Sequence, residues 1–386
     1  MKPLKYLFIS SMLFVATSCG NSWLDLEPST SVDTETSIKI LSDVEFTLNG
    51  IYSTMQSSDA YSGRLVYYGD VTGDDMQAVS STKRVANYYR FNFTKDDNPS
   101  SHWSYLYSII QNCNLILMNI DKLVIDEDDK AYRDDLKGEA LAIRGLALFD
   151  LTRIFGYPYL KDKGASLGVP IIEGLSTIDS KPTRNTVAQC YTKIIDDLTQ
   201  SLSLLGEKFN KGKINKWGAM VLLSRVYLYK GENANALKMA SDAIIGAEKN
   251  KYALWTHEDY PTAWGEDASA SKPGEVLFEI VNLTTDSPGK ESMGYLNSYD
   301  GYDDMCITCS FYQFLKEDPK DIRLKLLSFD KKYYAYVNKY QPQREENIED
   351  ANIPLIRLSE AYLNAAEAAV KENDNDAAVK YLDPIV

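Results

Sequence analysis

The sequence predicts a mainly α protein: a scaffold of paired helices carrying a loop-rich, Tyr- and Trp-rich insertion with minor β structure. Three observations lead there. Apolar residues recur at helical spacing over long stretches from Ser101 onward. Small residues cluster where two such stretches would face each other. Residues 251–350 then lose the helical period and fill with Tyr, Trp, Asp, Gly, Ser and Pro. A composition of 44% hydrophobic and 25% charged residues is that of a globular chain, long enough here for a substantial core.

The N-terminus reads as an address. Lys2 and Lys5 form a basic head, Leu7 to Val15 is apolar apart from Ser10 and Ser11, and Ala16-Thr17-Ser18 precede Cys19. This is the layout of a secretory signal over residues 1–18, too short to span a bilayer. A cysteine at the expected cut is the acylation point of bacterial lipoproteins, and acyl chains contribute roughly 0.8 kcal/mol per buried methylene to anchoring. The alternative is an ordinary signal peptide with an incidental cysteine. Residues 19–386 read as a single domain.

Trp103, Leu106, Ile110, Cys113, Leu117 and Ile120 line one face of a helix of about five turns. Ala140, Ile143, Ala147, Leu151 and Ile154 mark a second, stopped at Gly156 with Pro158 beyond. A turn-rich connection runs from Gly156 to Pro182. Thr186 and Gln189 have capping-box spacing and start a helix through Tyr191, Ile194, Leu198 and Leu202. Helices over 216–230 and 235–248 flank Gly231, and their small residues (Ala219, Ala236, Ala240, Ala243) beside Leu222, Tyr227 and Tyr229 resemble a tetratricopeptide hairpin. A further pair is expected over Pro354–Lys371 and from Asp376 to the end. Ser224-Arg225-Val226-Tyr227-Leu228 is echoed there by Ser359-Glu360-Ala361-Tyr362-Leu363. The repeats thus occupy about 101–250 and 352–386, with variable loops over about 55–100 and 251–350. Within the latter, Glu275 to Val281 is the best strand candidate.

Charge and composition exclude several functions. A net charge of −14 leaves no basic stripe for nucleic acid and disfavours direct binding to anionic headgroups. The two histidines, His102 and His257, lie far apart, which argues against multi-imidazole zinc sites and His-activated nucleophiles. Cys113 and Cys190 fall in helical patterns and read as small buried hydrophobes. Cys306 and Cys309 form a lone CxxC, readable as a local disulfide after export or as free thiols. No cofactor motif and no catalytic framework appears. Arg144, on a mostly apolar helix, reads as a buried structural cation, with Glu139 and Asp150 the nearest acids in sequence.

Most of the chain resembles the SusD/RagB family of outer-membrane lipoproteins. The likeness rests on Trp23-Leu24-Asp25-Leu26 and Pro28 after the lipid cysteine, then on Trp103, Tyr107, Ile110 and Asn114. It continues through Glu139-Ala140, Arg144-Gly145, and Phe149 through Phe155-Gly156-Tyr157-Pro158. Arg184, Tyr191, Asp197-Leu198, Asn215-Lys216-Trp217-Gly218-Ala219 and Arg357 to Leu363 complete it. The resemblance implies a non-enzymatic, cell-surface protein anchored through Cys19 that captures oligosaccharides, in some members peptides, for a TonB-dependent SusC-like transporter. A glycoside hydrolase is the competing reading, since paired carboxylates at suitable separation are easily found among 55 acidic residues. Family members usually continue past the point where this chain stops, Asp383-Pro384-Ile385-Val386, inside what should be the last repeat pair. The expectation is a truncated reading frame or a shortened member.

Sugar recognition needs aromatic faces against C–H groups and planar polar groups for hydroxyls. Tyrosine suits half-wet sites and is abundant, 27 copies against 12 Phe and 5 Trp. Trp103 and Trp217 sit on helical apolar faces and read as core; Trp255 and Trp264 read as cover for a core edge. The run Tyr295-Leu296-Asn297-Ser298-Tyr299-Asp300-Gly301-Tyr302-Asp303-Asp304 alternates aromatic and polar groups with no helical period. Tyr295, Asn297, Tyr299 and Tyr302 are therefore the leading ligand candidates, with Tyr67 and Tyr68 second. Asp300, Asp303 and Asp304 supply oxygens that calcium uses, but without EF-hand spacing, and read as a solvated acidic loop.

Overall fold

The computed structural model describes residues 37–94, 99–177, 179–265, 273–332, 334–342 and 347–385. Residues Ile40–Val386 form one compact unit. In chain order its elements are α1 (Leu41–Met55), α2 (Arg64–Val71), β1 (Met76–Ala78), α3 (Ala86–Tyr89), α4 (Pro99–Asn119) and α5 (Lys130–Phe155). There follow α6 (Val187–Leu204), α7 (Lys216–Lys230), α8 (Asn233–Lys249), β2 (Val276–Ile280), α9 (Met293–Asn297), β3 (Met305–Ile307) and α10 (Cys309–Leu315). The last elements are β4 (Leu327–Phe329), β5 (Ala335–Val337), β6 (Ile353–Arg357), α11 (Leu358–Lys371) and α12 (Asn375–Leu382).

The long helices pack in series: α4 on α5, α5 on α6, α6 on α7, α7 on α8, α8 on α11 and α11 on α12. This is the tetratricopeptide-like stack that the periodicity predicts. Each boundary has a local cause. Gly156 turns extended after α5 while its N–H still reaches the Thr152 carbonyl at 2.9 Å. At the start of α6 the Thr186 hydroxyl accepts from the Gln189 amide N–H at 3.2 Å, and the Gln189 side chain accepts from the Thr186 N–H at 2.9 Å. Asn215 caps α7, which ends on Gly231 at φ +81, a left-handed conformation that glycine adopts without strain. Gly138 and Gly145 let α5 and α6 meet closely, for a Cβ at either would lie 2.9 Å or 3.0 Å from Leu205 or Leu198.

The echo between the repeats has a structural counterpart. Arg225 of α7 clasps Glu360 of α11 with Nε and Nη2 at 2.5 and 2.7 Å, and Ser224 accepts from Asn364 at 2.9 Å. The echoed positions Arg225 and Glu360 thus join one repeat to the other.

Three short antiparallel pairs, β1–β3, β2–β6 and β4–β5, form the minor β structure. Val276–Ile280 is a buried strand, as its sequence predicts. Its partner departs from expectation: Pro354 lies in β6, and the following helix begins only at Leu358. A proline disfavours helix at the residue before it and lacks an N–H, while pairing with β2 satisfies the neighbouring backbone. Residues 55–100 also hold more helix than predicted, since α2 and α3 fall there, and α1 before them has no counterpart in the sequence reading. Cys306 and Cys309 stand as free thiols.

Arg144 is buried, but its partners are not the sequence-local acids. Its Nε and Nη2 fork onto Asp197 of α6 at 2.8 and 2.6 Å, and Nη1 reaches Asn114 of α4 at 2.8 Å. Glu139 and Asp150, five and six residues away, fall on other faces of the helix. They take hydrogen bonds from Tyr52 and Tyr61, each at 2.7 Å. Removing one partner of such a buried pair costs about 3–5 kcal/mol. Arg144→Ala is therefore expected to lower the urea unfolding midpoint sharply, and a variant as stable as the parent would show that the clasp contributes nothing.

Burial raises the Glu139 carboxyl from the ordinary 4.5 to about 7, against a smaller lowering influence of Lys213. The folded state then keeps a proton that the unfolded chain has released, so stability falls as pH rises from about 4.5 to about 7 and stays reduced above that. At about 1.4 kcal/mol per unit, the effect is on the order of 3 kcal/mol at most. Glu139→Gln should remove this slope, so that the variant gains stability relative to the parent from pH 5 to pH 7.5, by about 2 kcal/mol. Parallel pH profiles in urea denaturation would assign the titration elsewhere.

Candidate functional site

The segment expected to have no helical period begins on a short helix, α9, and then folds tightly back on it. Ser292 caps that helix, and Tyr295 and Asn297 lie within it. The chain then reverses. Tyr302 N–H donates to the Tyr295 carbonyl at 2.9 Å, Asp303 N–H to Ser298 at 3.1 Å and Asp304 N–H to Leu296 at 3.0 Å, before β3 pairs with β1. Position 301 needs glycine because a Cβ would sit 2.0 Å from the Tyr295 carbonyl oxygen. Asp303 has φ +56, a region that aspartate tolerates better than most residues.

The reversal sorts the tyrosines. Tyr295 and Tyr302 meet edge-to-face, with centroids 5.0 Å apart, and the Arg84 guanidinium covers Tyr302 at 3.9 Å from its centroid. Tyr302 thus already has a partner on a ring face. Tyr299 is the open one, 44% exposed, with Tyr336 behind it at 6.1 Å. The Tyr336 hydroxyl donates to Asp303, and Lys83 donates to the Tyr302 carbonyl at 2.5 Å while lying 3.6 Å from Asp303. Arg84 stands 3.5 Å from Asp304 and 3.4 Å from Glu291. Asp303 and Asp304 therefore face on-chain cations, while Asp300 is exposed, as expected of a solvated acidic position. Burial raises the Asp304 carboxyl pKa, with Arg84 and Lys83 opposing.

Beneath the fold-back lies a cleft of about 210 Å³ lined by Asn297, Asp70, Asp75, Arg323, Lys339 and Tyr340, with apolar side chains between them. Asn297 is buried and donates to the Val337 carbonyl at 2.6 Å. Its Oδ1 has no partner among the described residues. Burial, reinforced by Arg357, lowers the Lys339 ammonium pKa. The cleft thus gathers amide, carboxylate and cationic groups able to hydrogen-bond to sugar hydroxyls, while Tyr299, outside its lining, offers a ring face on which a sugar could stack.

The second pair of candidates divides. Tyr67 is fully buried on α2, in edge contact with Tyr88 at 5.6 Å, and has no face to offer a ligand, which corrects the expectation for it. Tyr68, half-buried on the same helix, lines a different cavity. Both lie on a helix instead of the loop expected there. Lys83, Arg84 and Tyr336 escape a sequence reading because they come from segments about 250 residues apart in the chain and carry no shared spacing. Trp264 and Trp255 form an edge-to-face pair at 4.9 Å that Arg357 overlies, consistent with a core-edge role. Cys19 lies outside the described residues.

Residues 22–228 match a family described as starch-binding and associating with the outer membrane, and residues 325–385 match the SusD family. Among solved structures, a putative sugar-binding protein from Bacteroides vulgatus is 82% identical with a TM-score of 0.89, over 91% of this chain and 78% of that one. A laminarin-binding SusD-like protein shares the fold at 20% identity and a TM-score of 0.73, over 90% of this chain and 84% of that one. SusD-like protein P2 of Formosa agariphila is 28% identical over 78% of this chain and 57% of its own length. This chain spans roughly half the length of the curated relatives it matches, from 39% to 57%. The helical-repeat frame and these similarities together place the chain in the SusD family.

Proposed function

We propose that the protein is a cell-surface glycan-capturing lipoprotein, anchored through Cys19, that holds oligosaccharides at the Tyr299 fold-back for a TonB-dependent SusC-like transporter. The observation that carries the binding site is the half-exposed Tyr299 ring, backed by Tyr336 and standing beside polar groups that already have fixed positions. A rigid, amphipathic ring costs little side-chain entropy on binding and offers a flat face to the C–H side of a pyranose. Asn297, Asp70, Asp75 and Lys339 in the adjoining cleft supply the donors and acceptors that select among hydroxyl arrangements. Laminarin, bound by a protein of the same fold, is a reasonable first glycan to try.

Tyr299→Ala is expected to weaken oligosaccharide binding by about 2- to 12-fold, corresponding to the roughly 0.5–1.5 kcal/mol of an aromatic contact, with the melting temperature unchanged. Tyr299→Phe should retain most of the affinity. Isothermal titration of the lipid-free protein with laminari-oligosaccharides and a wider glycan panel would measure both. Unchanged affinity in Tyr299→Ala would remove the ring from the site, and new reducing ends during the titration would make the protein an enzyme instead.

Anchoring is tested separately. Cys19→Ala should yield unprocessed precursor or protein released from membranes. Persistence of the variant in the membrane pellet after a carbonate wash would overturn acylation at Cys19.

A further inference from the structure

A cavity of about 400 Å³ lies apart from the fold-back, between α2, α5, α7 and β6. That volume falls within the roughly 300–1,000 Å³ usual for small-molecule sites. Its chemistry comes from Tyr61, Tyr68 and Tyr229 and from Asp150, Arg153 and Arg225. Asp150 accepts from the Tyr61 hydroxyl at 2.7 Å and from Arg153, while Arg225 is forked onto Glu360. Each cation thus has its own carboxylate, and the site carries two balanced pairs. Donor capacity remains. Arg225 uses Nε and Nη2, which leaves Nη1 without a partner among the described residues, and Arg153 Nη1 makes only a 3.4 Å contact with the Tyr229 hydroxyl. Tyr229 is 49% exposed, and Gly69, also lining the cavity, has nothing within 4 Å of where a Cβ would stand.

We propose that this cavity is a second carbohydrate site that takes one neutral pyranose residue, in addition to the Tyr299 platform. The proposal rests on the glycan-binding function proposed above. Free guanidinium N–H groups suit ring and hydroxyl oxygens, the spare lone pairs of Asp150 accept from hydroxyls, and the tyrosine rings and aliphatic walls take the C–H face. Neutrality follows from the charge balance: an added carboxylate would enter a low-dielectric space beside Asp150 and Glu360 with no unpaired cation to meet it.

The test is a ligand-observed NMR titration of the soluble protein with D-glucose, D-galactose, D-mannose and D-glucuronate. At least one neutral sugar should bind the parent and the Tyr299→Ala variant alike, and glucuronate should bind more weakly. Gly69→Trp adds an indole at a lining position where a Cβ meets nothing within 4 Å, and should reduce that binding by more than about 12-fold, beyond what one aromatic contact moves. Tyr229→Ala, which removes a wall without filling the cavity, should reduce it about 2- to 12-fold. Monosaccharide binding untouched by both substitutions, or lost in Tyr299→Ala, overturns the second site while the platform stands. Tighter binding of glucuronate, or a crystal showing a peptide segment in the cavity, overturns it equally. Failure of the parent to bind any mono- or oligosaccharide would overturn the glycan reading itself, a result distinct from loss of the cavity alone.

Discussion

The guanidinium of Arg144 holds the centre of the helical frame. One planar group on α5 is forked onto Asp197 of α6 and reaches Asn114 of α4, so three successive helices are joined at a single buried point. Neither charge has water to fall back on, with Arg144 7% exposed and Asp197 inaccessible, so the helices keep the spacing that satisfies both. Gly138 and Gly145 on the same helix make that spacing sterically possible by admitting Leu205 and Leu198 against the backbone. Electrostatic satisfaction and close packing therefore impose the same geometry on α5 and α6.

Further along the stack, the same device recurs between repeats that are not adjacent in sequence. Arg225 and Glu360 pair across α7 and α11, and Asn364 bonds to Ser224 beside them. The acids of α5 left aside by Arg144 serve a different purpose. Glu139 and Asp150 receive the hydroxyls of Tyr52 and Tyr61, which ties the N-terminal segment carrying α1 and α2 to the repeats. The frame thus holds elements outside its own repeats through tyrosine hydroxyls, and this gives part of the high tyrosine content a structural role.

On this frame the irregular half gains definition from backbone hydrogen bonds and local charge pairing more than from regular secondary structure. The fold-back from α9 to β3 closes on its own carbonyls, and Lys83 and Arg84 balance Asp303 and Asp304 across it. The arrangement uses Tyr295, Tyr302 and Tyr336 as internal support and leaves Tyr299 facing solvent. Preorganised aromatic rings bind with less loss of freedom than a mobile loop would, which favours the glycan capture proposed for Tyr299.

Much of the frame was legible in the sequence because a helix writes its buried face at fixed spacing. The stripe from Trp103 to Ile120, the Thr186–Gln189 cap, the Gly156 and Gly231 stops and the Val276–Ile280 strand follow from rules that reach only a few residues along the chain. The loop from Tyr295 to Asp304 was also identifiable as a region without helical period, and its tyrosines as candidates. Tertiary structure alone decided which of them faces out, since Arg84, 218 residues before Tyr302, covers that ring and Tyr336 stands behind Tyr299. It likewise put Tyr67 in the core, gave Arg144 a partner 53 residues away and turned Pro354 into a strand residue. Local spacing encodes which face of an element is apolar; it carries no record of which distant side chain will meet a given charge or ring, because that depends on how the completed elements pack.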